Sequence, residues 1–175
     1  MPRFIAGLLT RREERVDQLS NLKAAVGAII GMIVVGQLAL MTGLPLLIAP
    51  LGSTSVMLFA RPSSEMAQPI NIMAGYLVAI AIYIAASYAF PGWWVAAAFS
   101  VGVTIFVMRG LRVTHPPAGA IPILGFDGGV PGPDLFLVVF IGCVTLVALA
   151  FLVHRVPPRR DYPLLDDGTK SETKP

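Results

Sequence analysis

Four apolar runs constrain this chain more than anything else in it: Leu22–Gly43, Ile70–Phe90, Trp93–Met108 and Leu135–Val153. A hydrocarbon layer about 30 Å thick is crossed by roughly 20 apolar residues wound as a helix. Lipid offers backbone N–H and C=O groups no partner, so the helix must satisfy them itself. Composition agrees with that reading: 55% of the 175 residues are hydrophobic and 13% are charged, and mean hydropathy is +0.75. Such values belong to a membrane protein rather than a soluble domain. The third run is short but extends at either end, and Trp93 and Trp94 suit an interfacial belt. The expectation is an all-α polytopic membrane protein with these four runs as full transmembrane helices.

Two further apolar stretches do not read as ordinary spans. Leu44–Ala60 contains Pro45, Pro50 and Gly52, and Val113–Phe126 contains Pro116, Pro117, Gly119 and Pro122. Pro lacks an N–H and fixes φ, so it breaks a helix interior but suits a helix start. The two stretches align: Pro50 maps onto Pro117, Gly52 onto Gly119 and Phe59 onto Phe126, each 67 residues on. The same shift carries the first long run onto the third and the second onto the fourth. The chain therefore reads as two copies of a helix, a broken segment and a helix, over about 22–90 and 89–155.

Length lets the broken stretches cross. A few extended residues followed by helix give about 27 Å for 113–126 and about 35 Å for 44–60, close to the hydrocarbon thickness of ~30 Å. Charge favours crossing. With six crossings, Arg61, Arg109 and Arg112 share one side with the terminal segments, which hold the other ten of the thirteen basic residues. The positive-inside rule makes that side cytoplasmic, with both termini on it. Three crossings per unit is an odd number, so the second unit is inverted relative to the first. An inner (plasma) membrane of bacterial type is the expected location.

The terminal segments are polar. Residues 1–20 read as a charged interfacial helix ending at Ser20-Asn21, which would cap the first span, or as a solvated tail. Residues 21–155 form the transmembrane domain. Residues 156–175, rich in Pro and charge, read as a cytoplasmic mobile tail.

Unwound backbone at membrane depth is tolerated only where protein or a polar cavity surrounds it, and paired breaks in inverted repeats point to a substrate site. The candidate pathway residues are Pro50, Gly52, Ser53 and Thr54 in the first break, and Thr114, His115, Pro116, Pro117, Gly119 and Ala120 in the second. Pro50 and Pro117 suit the first turn of a half-helix. Gly52 and Gly119 would let another backbone or a solute approach. Free N–H groups and the positive end of each half-helix would then face mid-membrane and attract an anion. The hydroxyls of Ser53, Thr54 and Ser55 either donate to that solute or bond neighbouring backbone. His115 has two open readings: a gate residue able to titrate near neutral pH, or a cap that holds the Pro-Pro bend by one backbone hydrogen bond. His154, beside Arg155, reads as interfacial.

Other chemistries find little support. None of the ten acidic residues lies in an expected span, which argues against a carboxylate cation relay or a carboxylate-bound metal. The single cysteine, Cys143, allows neither a disulfide nor a cysteine metal site within one chain. Gln37, Ser87, Ser100 and Thr104 are the few polar groups deep in spans, and no nucleophilic triad is evident. The expectation is no enzyme, no cofactor and no metal. The basic residues sit at termini and short connections, which suits membrane orientation and not nucleic acid.

The stretches "APLGSTSVMLFARPSSEMAQP" (49–69) and "HPPAGA" (115–120), set between hydrophobic spans, resemble the HPP family of small integral membrane proteins. The resemblance covers roughly residues 20–155. It implies four transmembrane segments and a transporter, and the nitrite transport associated with plastid and cyanobacterial members implies a small-anion permease. Six crossings add the two broken segments to that description. Family members often read Gln-Pro-Arg-Asn followed by Gly-Gly-His. Here Gln68-Pro69-Ile70-Asn71 and Ala74-Gly75-Tyr76 stand instead, so an arginine and a histidine that would contact an anion are replaced and the substrate stays open. The expected function is passage of a small inorganic anion, nitrite or similar, by a homo-oligomer in the bilayer. The rivals are a neutral-solute channel and a membrane scaffold that transports nothing.

Overall fold

The computed structural model describes residues 2–10, 13, 15–128, 130 and 132–165. Arg11, Arg12 and Glu14 of the charged N-terminal stretch, Gly129 and Pro131 of the 127–134 connection, and residues 166–175 of the expected tail lie outside them. Among the described residues the α-helices are, in order, α1 (Pro2–Leu9), α2 (Gln18–Thr42), α3 (Ala49–Ala60), α4 (Pro69–Ala89), α5 (Val95–Gly110), α6 (Ile121–Phe126) and α7 (Gly132–Arg155). Short 3-10 turns occupy Glu65–Ala67 and Pro116–Ala120. Among the described residues, three helices are long and apolar enough to cross a membrane: α2, α4 and, from Asp134, α7. The fourth expected span is α5. Its 16 residues reach about 24 Å at 1.5 Å per residue, because the helix starts after Trp93 and Trp94 instead of with them.

Local chemistry explains the boundaries. Asp17, not Ser20-Asn21, caps α2: its carboxylate accepts from the Ser20 N–H at 2.9 Å, so the helix starts earlier than expected. Gly43 ends α2 in the left-handed region at φ 71°, its N–H bonding the Ala39 carbonyl. The chain from Pro45 to Ile48 then leaves the helix, with Leu46 and Ile48 buried and Pro45 and Leu47 exposed. Its backbone satisfies itself through short bonds from Leu46 N to Leu44 O and from Ile48 N to Leu46 O. Pro50 sits in the first turn of α3, as its missing N–H favours.

The second break winds differently from the half-helix expected at Pro117. Pro122 has no N–H to give the Ala118 carbonyl, which accepts instead from Ile121, three residues on. That tighter bond makes 116–120 a 3-10 turn before α6 begins.

The helices pack as α2 on α3 and α7, α3 on α7, α4 on α5, α6 and α7, and α5 on α6. The start of α2, the end of α3 and the end of α7 line one crevice through Ser20, Arg61 and His154. The 61–68 and 111–115 connections reach the same end, joined where the His115 ring bonds the Met66 carbonyl. Residues 156–165 do not hang free. Tyr162 is buried and donates to the Ala67 carbonyl, and Leu164 N–H donates to the Gln68 side chain. In α1, Phe4, Ile5, Leu8 and Leu9 stay exposed, an apolar surface that suits a membrane interface.

Close packing falls at glycines that hydropathy does not single out. A Cβ on Gly75 would lie 2.9 Å from the His115 Cβ and 3.1 Å from the Val113 carbonyl oxygen. On Gly142 it would collide with Leu51. Gly75→Ala is expected to cost about 1–3 kcal/mol, because backbone must give way. Gly52→Ala, where an added Cβ meets no atom within 4 Å, should hold or raise stability by up to about 1 kcal/mol through helix propensity. Melting midpoints of the two variants in detergent check the opposite signs.

Candidate functional site

The two broken segments meet at Thr54 and His115. Thr54 follows Pro50 by one helical turn on α3, whose buried face carries Pro50, Leu51, Thr54, Ser55, Leu58 and Phe59. His115 is extended, at φ −132° and ψ 101°, as a residue before proline tends to be. Gly75 on α4 leaves room for it. Both Thr54 and His115 have 0% exposure.

Their hydrogen bonds can be directed by elimination. His115 Nδ1 lies 2.8 Å from the Met66 carbonyl, which only accepts, so Nδ1 carries the proton. In the neutral ring Nε2 then accepts, and its partner at 2.9 Å is the Thr54 hydroxyl. Thr54 spends its proton there and accepts from the Tyr76 hydroxyl at 2.8 Å. The chain therefore runs from Tyr76 to Thr54 to His115 to the backbone of Met66. The Tyr76 ring also lies against the imidazole, with centroids 5.2 Å apart.

This leaves His115 no N–H for a passing anion. The helix starts are also short of donors. Leu51 and Gly52 N–H both bond the Ile48 carbonyl. Pro116 and Pro117 have no N–H at all, and Ala118 N–H bonds the His115 carbonyl.

The remaining candidates are scattered. Ser53 is exposed and Gly52 half-buried on α3. Ser55 donates to the Gly52 carbonyl, bonding neighbouring backbone. The Thr114 carbonyl accepts a long bond, 3.4 Å, from Asn71. Pro117 is buried, Gly119 and Ala120 are half-buried, and Pro116 is exposed. A Cβ on Gly119, as on Gly52, would meet nothing within 4 Å, so no backbone approaches either glycine.

Three features were missed or read differently in the sequence. Tyr76, at the position where the resembling family often carries histidine, ends the hydrogen-bond chain. His154 is buried rather than interfacial, and its Nε2 donates to the Leu58 carbonyl at 2.8 Å. On α5, Ala96, Ser100, Thr104 and Met108 form one buried stripe at i, i+4 spacing. The Ser100 and Thr104 hydroxyls on that stripe have no hydrogen-bond partner among the described residues. Also among the described residues, no three His, Cys, Asp or Glu side chains converge to hold a metal ion.

The helical architecture and its apolar spans define an integral membrane protein. The family model for the HPP transmembrane region matches residues 13–163, and the chain belongs to that family. It is 29% identical over 134 residues to a transmembrane protein of Dictyostelium discoideum, covering 72% of this chain and 47% of that one. A second Dictyostelium discoideum transmembrane protein is 27% identical over 126 residues, covering 67% and 40%. The chain thus spans less than half the length of these curated relatives. No solved structure matches it.

The chain of bonds ranks two substitutions. Thr54→Val strands both the His115 acceptor and the Tyr76 proton in the interior, and should cost about 3 kcal/mol at 1–3 per stranded group. Tyr76→Phe removes only a donor that Thr54 accepts, and should cost about 1 kcal/mol. Adding Tyr76→Phe to Thr54→Val should then cost less than the sum, since it removes one stranded group. Melting midpoints of the three variants in one detergent test the order.

Proposed function

We propose that the chain is a transporter or channel for a small inorganic anion, nitrite or one of similar size, and not an enzyme. Its path passes the Thr54–His115 junction and the hydroxyl stripe of α5. The observation that carries this reading is the pair of hydroxyls, Ser100 and Thr104, buried without partners beside α4 and α6. An unpaired buried hydroxyl costs about 1–3 kcal/mol, and a scaffold gains nothing from it. The sign of the charge follows from what surrounds the path. No carboxylate is buried among the described residues, and α3 turns its positive end inward.

The architecture we infer is two inverted repeats, and three correspondences support it, with Phe59/Phe126, Leu58/Gly125 and Gly75/Gly142 at the 67-residue shift and the ring partners Tyr83 and His154 about one helical turn beyond it. Phe59 packs against His154 and Phe126 against Tyr83. The carbonyls of Leu58 and Gly125 each accept from a ring on the last helix of the other unit, His154 on α7 and Tyr83 on α4. Gly75 and Gly142 are both close-packed, each against the other unit's broken segment. The helix contacts map onto themselves under the same exchange. Six crossings then put Arg61, Arg109 and Arg112 on one side, which we assign to the cytoplasm together with both termini, in a membrane of the bacterial inner type. A chain of 18.6 kDa encloses little on its own, so the working unit is a homo-oligomer.

A neutral solute is the second reading. It is favoured by the spent or missing N–H groups at both helix starts, which leave the dipole but few donors for a bare anion.

Proteoliposomes decide between them. Nitrite uptake by the wild type, lowered about tenfold in a Thr104→Val variant that inserts and melts normally, supports the anion reading. Swelling in glycerol or urea without nitrite uptake transfers the path to neutral solutes. Passage of neither leaves the scaffold.

A further inference from the structure

At the end where α2 starts and α3 and α7 stop, an open crevice of about 1350 Å³ faces out of the bundle. It is far larger than a small inorganic anion needs. Among the described residues, Arg15, Lys23, Arg61 and Arg160 line it, against the carboxylates Glu13 and Asp17. Both carboxylates are engaged: Glu13 pairs with Arg61 at 2.9 Å, and Asp17 caps α2 through the Ser20 N–H. The excess is positive.

Two of the cations are held in position. Lys23 donates to the carbonyls of Val156 at 2.7 Å and Pro158 at 2.6 Å, which fixes its ammonium at the end of α7 with a third N–H to spare. Arg160 is set by its own backbone N–H, bonded to the His154 carbonyl, and its guanidinium reaches Ser20 Oγ at 3.3 Å. That single long contact leaves most of the guanidinium fork available.

His154 supplies an independent sign of a ligand. It lines the crevice and is 3% exposed. Its Nε2–H goes to Leu58, so Nδ1 is a lone-pair acceptor, and that atom has no partner among the described residues. Phosphate oxygens satisfy the cations, and a hydroxyl on the same ligand would satisfy Nδ1, which has almost no accessible surface, once a side chain over it shifts. The crevice sits at the ends of the membrane helices, and α2 carries exposed Leu19 and Leu22 at this level, where acyl chains would lie.

We propose that this crevice binds an anionic phosphodiester headgroup bearing a hydroxyl, of the phosphatidylglycerol kind, with its phosphate on Lys23 and Arg160. A free glycerol phosphate has the same chemistry, and the test separates the two sources. The full chain in detergent is titrated with phosphatidylglycerol, phosphatidylcholine and glycerol phosphate, and bound ligand is counted by native mass spectrometry. Phosphatidylglycerol should bind about tenfold tighter than phosphatidylcholine, and Arg160→Gln should weaken it about fivefold. Arg160→Lys should keep most of the binding. Arg109→Gln removes an equal charge outside the crevice and should change binding less than about twofold. Equal losses in Arg109→Gln and Arg160→Gln, or no saturable binding of either phosphate, overturn the site. Saturable glycerol phosphate binding with no lipid preference, lost in Arg160→Gln, keeps the phosphate site and overturns its lipid source. The readout is binding, so it stands apart from the flux measurements.

Discussion

A polar backbone inside a membrane protein must find every hydrogen bond within the protein, and the bundle is arranged around that demand. Two interruptions break the run of helices. The first interruption, before α3, closes on itself through short bonds among Leu44, Leu46 and Ile48. The second closes only in part: Ala118 N–H bonds the His115 carbonyl and Ile121 N–H the Ala118 carbonyl, while Pro116 and Pro117 bring no N–H. His115 sits at its entry and ties three segments together: its own, α3 through Thr54, and the 61–68 connection through Met66. A histidine suits that post because it donates from one nitrogen and accepts at the other.

The ties continue outward. Tyr162 holds the Ala67 carbonyl, next to the Met66 carbonyl that His115 holds. Lys23 holds the backbone that follows α7. The segment 156–165 is therefore tied to the start of α2 and to the 61–68 connection. The stretch had looked like a mobile tail because polarity and prolines carry no information about partners ninety residues away.

Much of the fold was legible. Apolar length marked α2, α4 and α7, and prolines marked both interruptions, because each of these effects is local to the chain. The meeting of Thr54 with His115 was legible only as two separate candidates. Tyr76 was passed over because its hydroxyl acts across 22 residues, and a tyrosine in an apolar run reads as packing. Gly52 and Gly119 were chosen for their place beside prolines. Close approaches fell instead at other glycines, among them Gly75 and Gly142, whose neighbours come from the other half of the chain. Asp17 displaced Ser20-Asn21 as the cap of α2 because any of the three has the chemistry, and only geometry chooses.

The central claim is that His115 is locked between a backbone carbonyl and a threonine hydroxyl, with its proton on Nδ1. The chain has two histidines, and the geometry assigns them opposite tautomers, since His154 donates from Nε2. Nitrogen NMR of ring-labelled histidine in lipid nanodiscs, with His154→Gln to assign the signals, measures this directly. The account predicts one ring protonated at Nδ1, remaining in His154→Gln, and one protonated at Nε2, lost in it. A His115 signal with its proton on Nε2 would contradict the hydrogen-bond chain and the junction built on it.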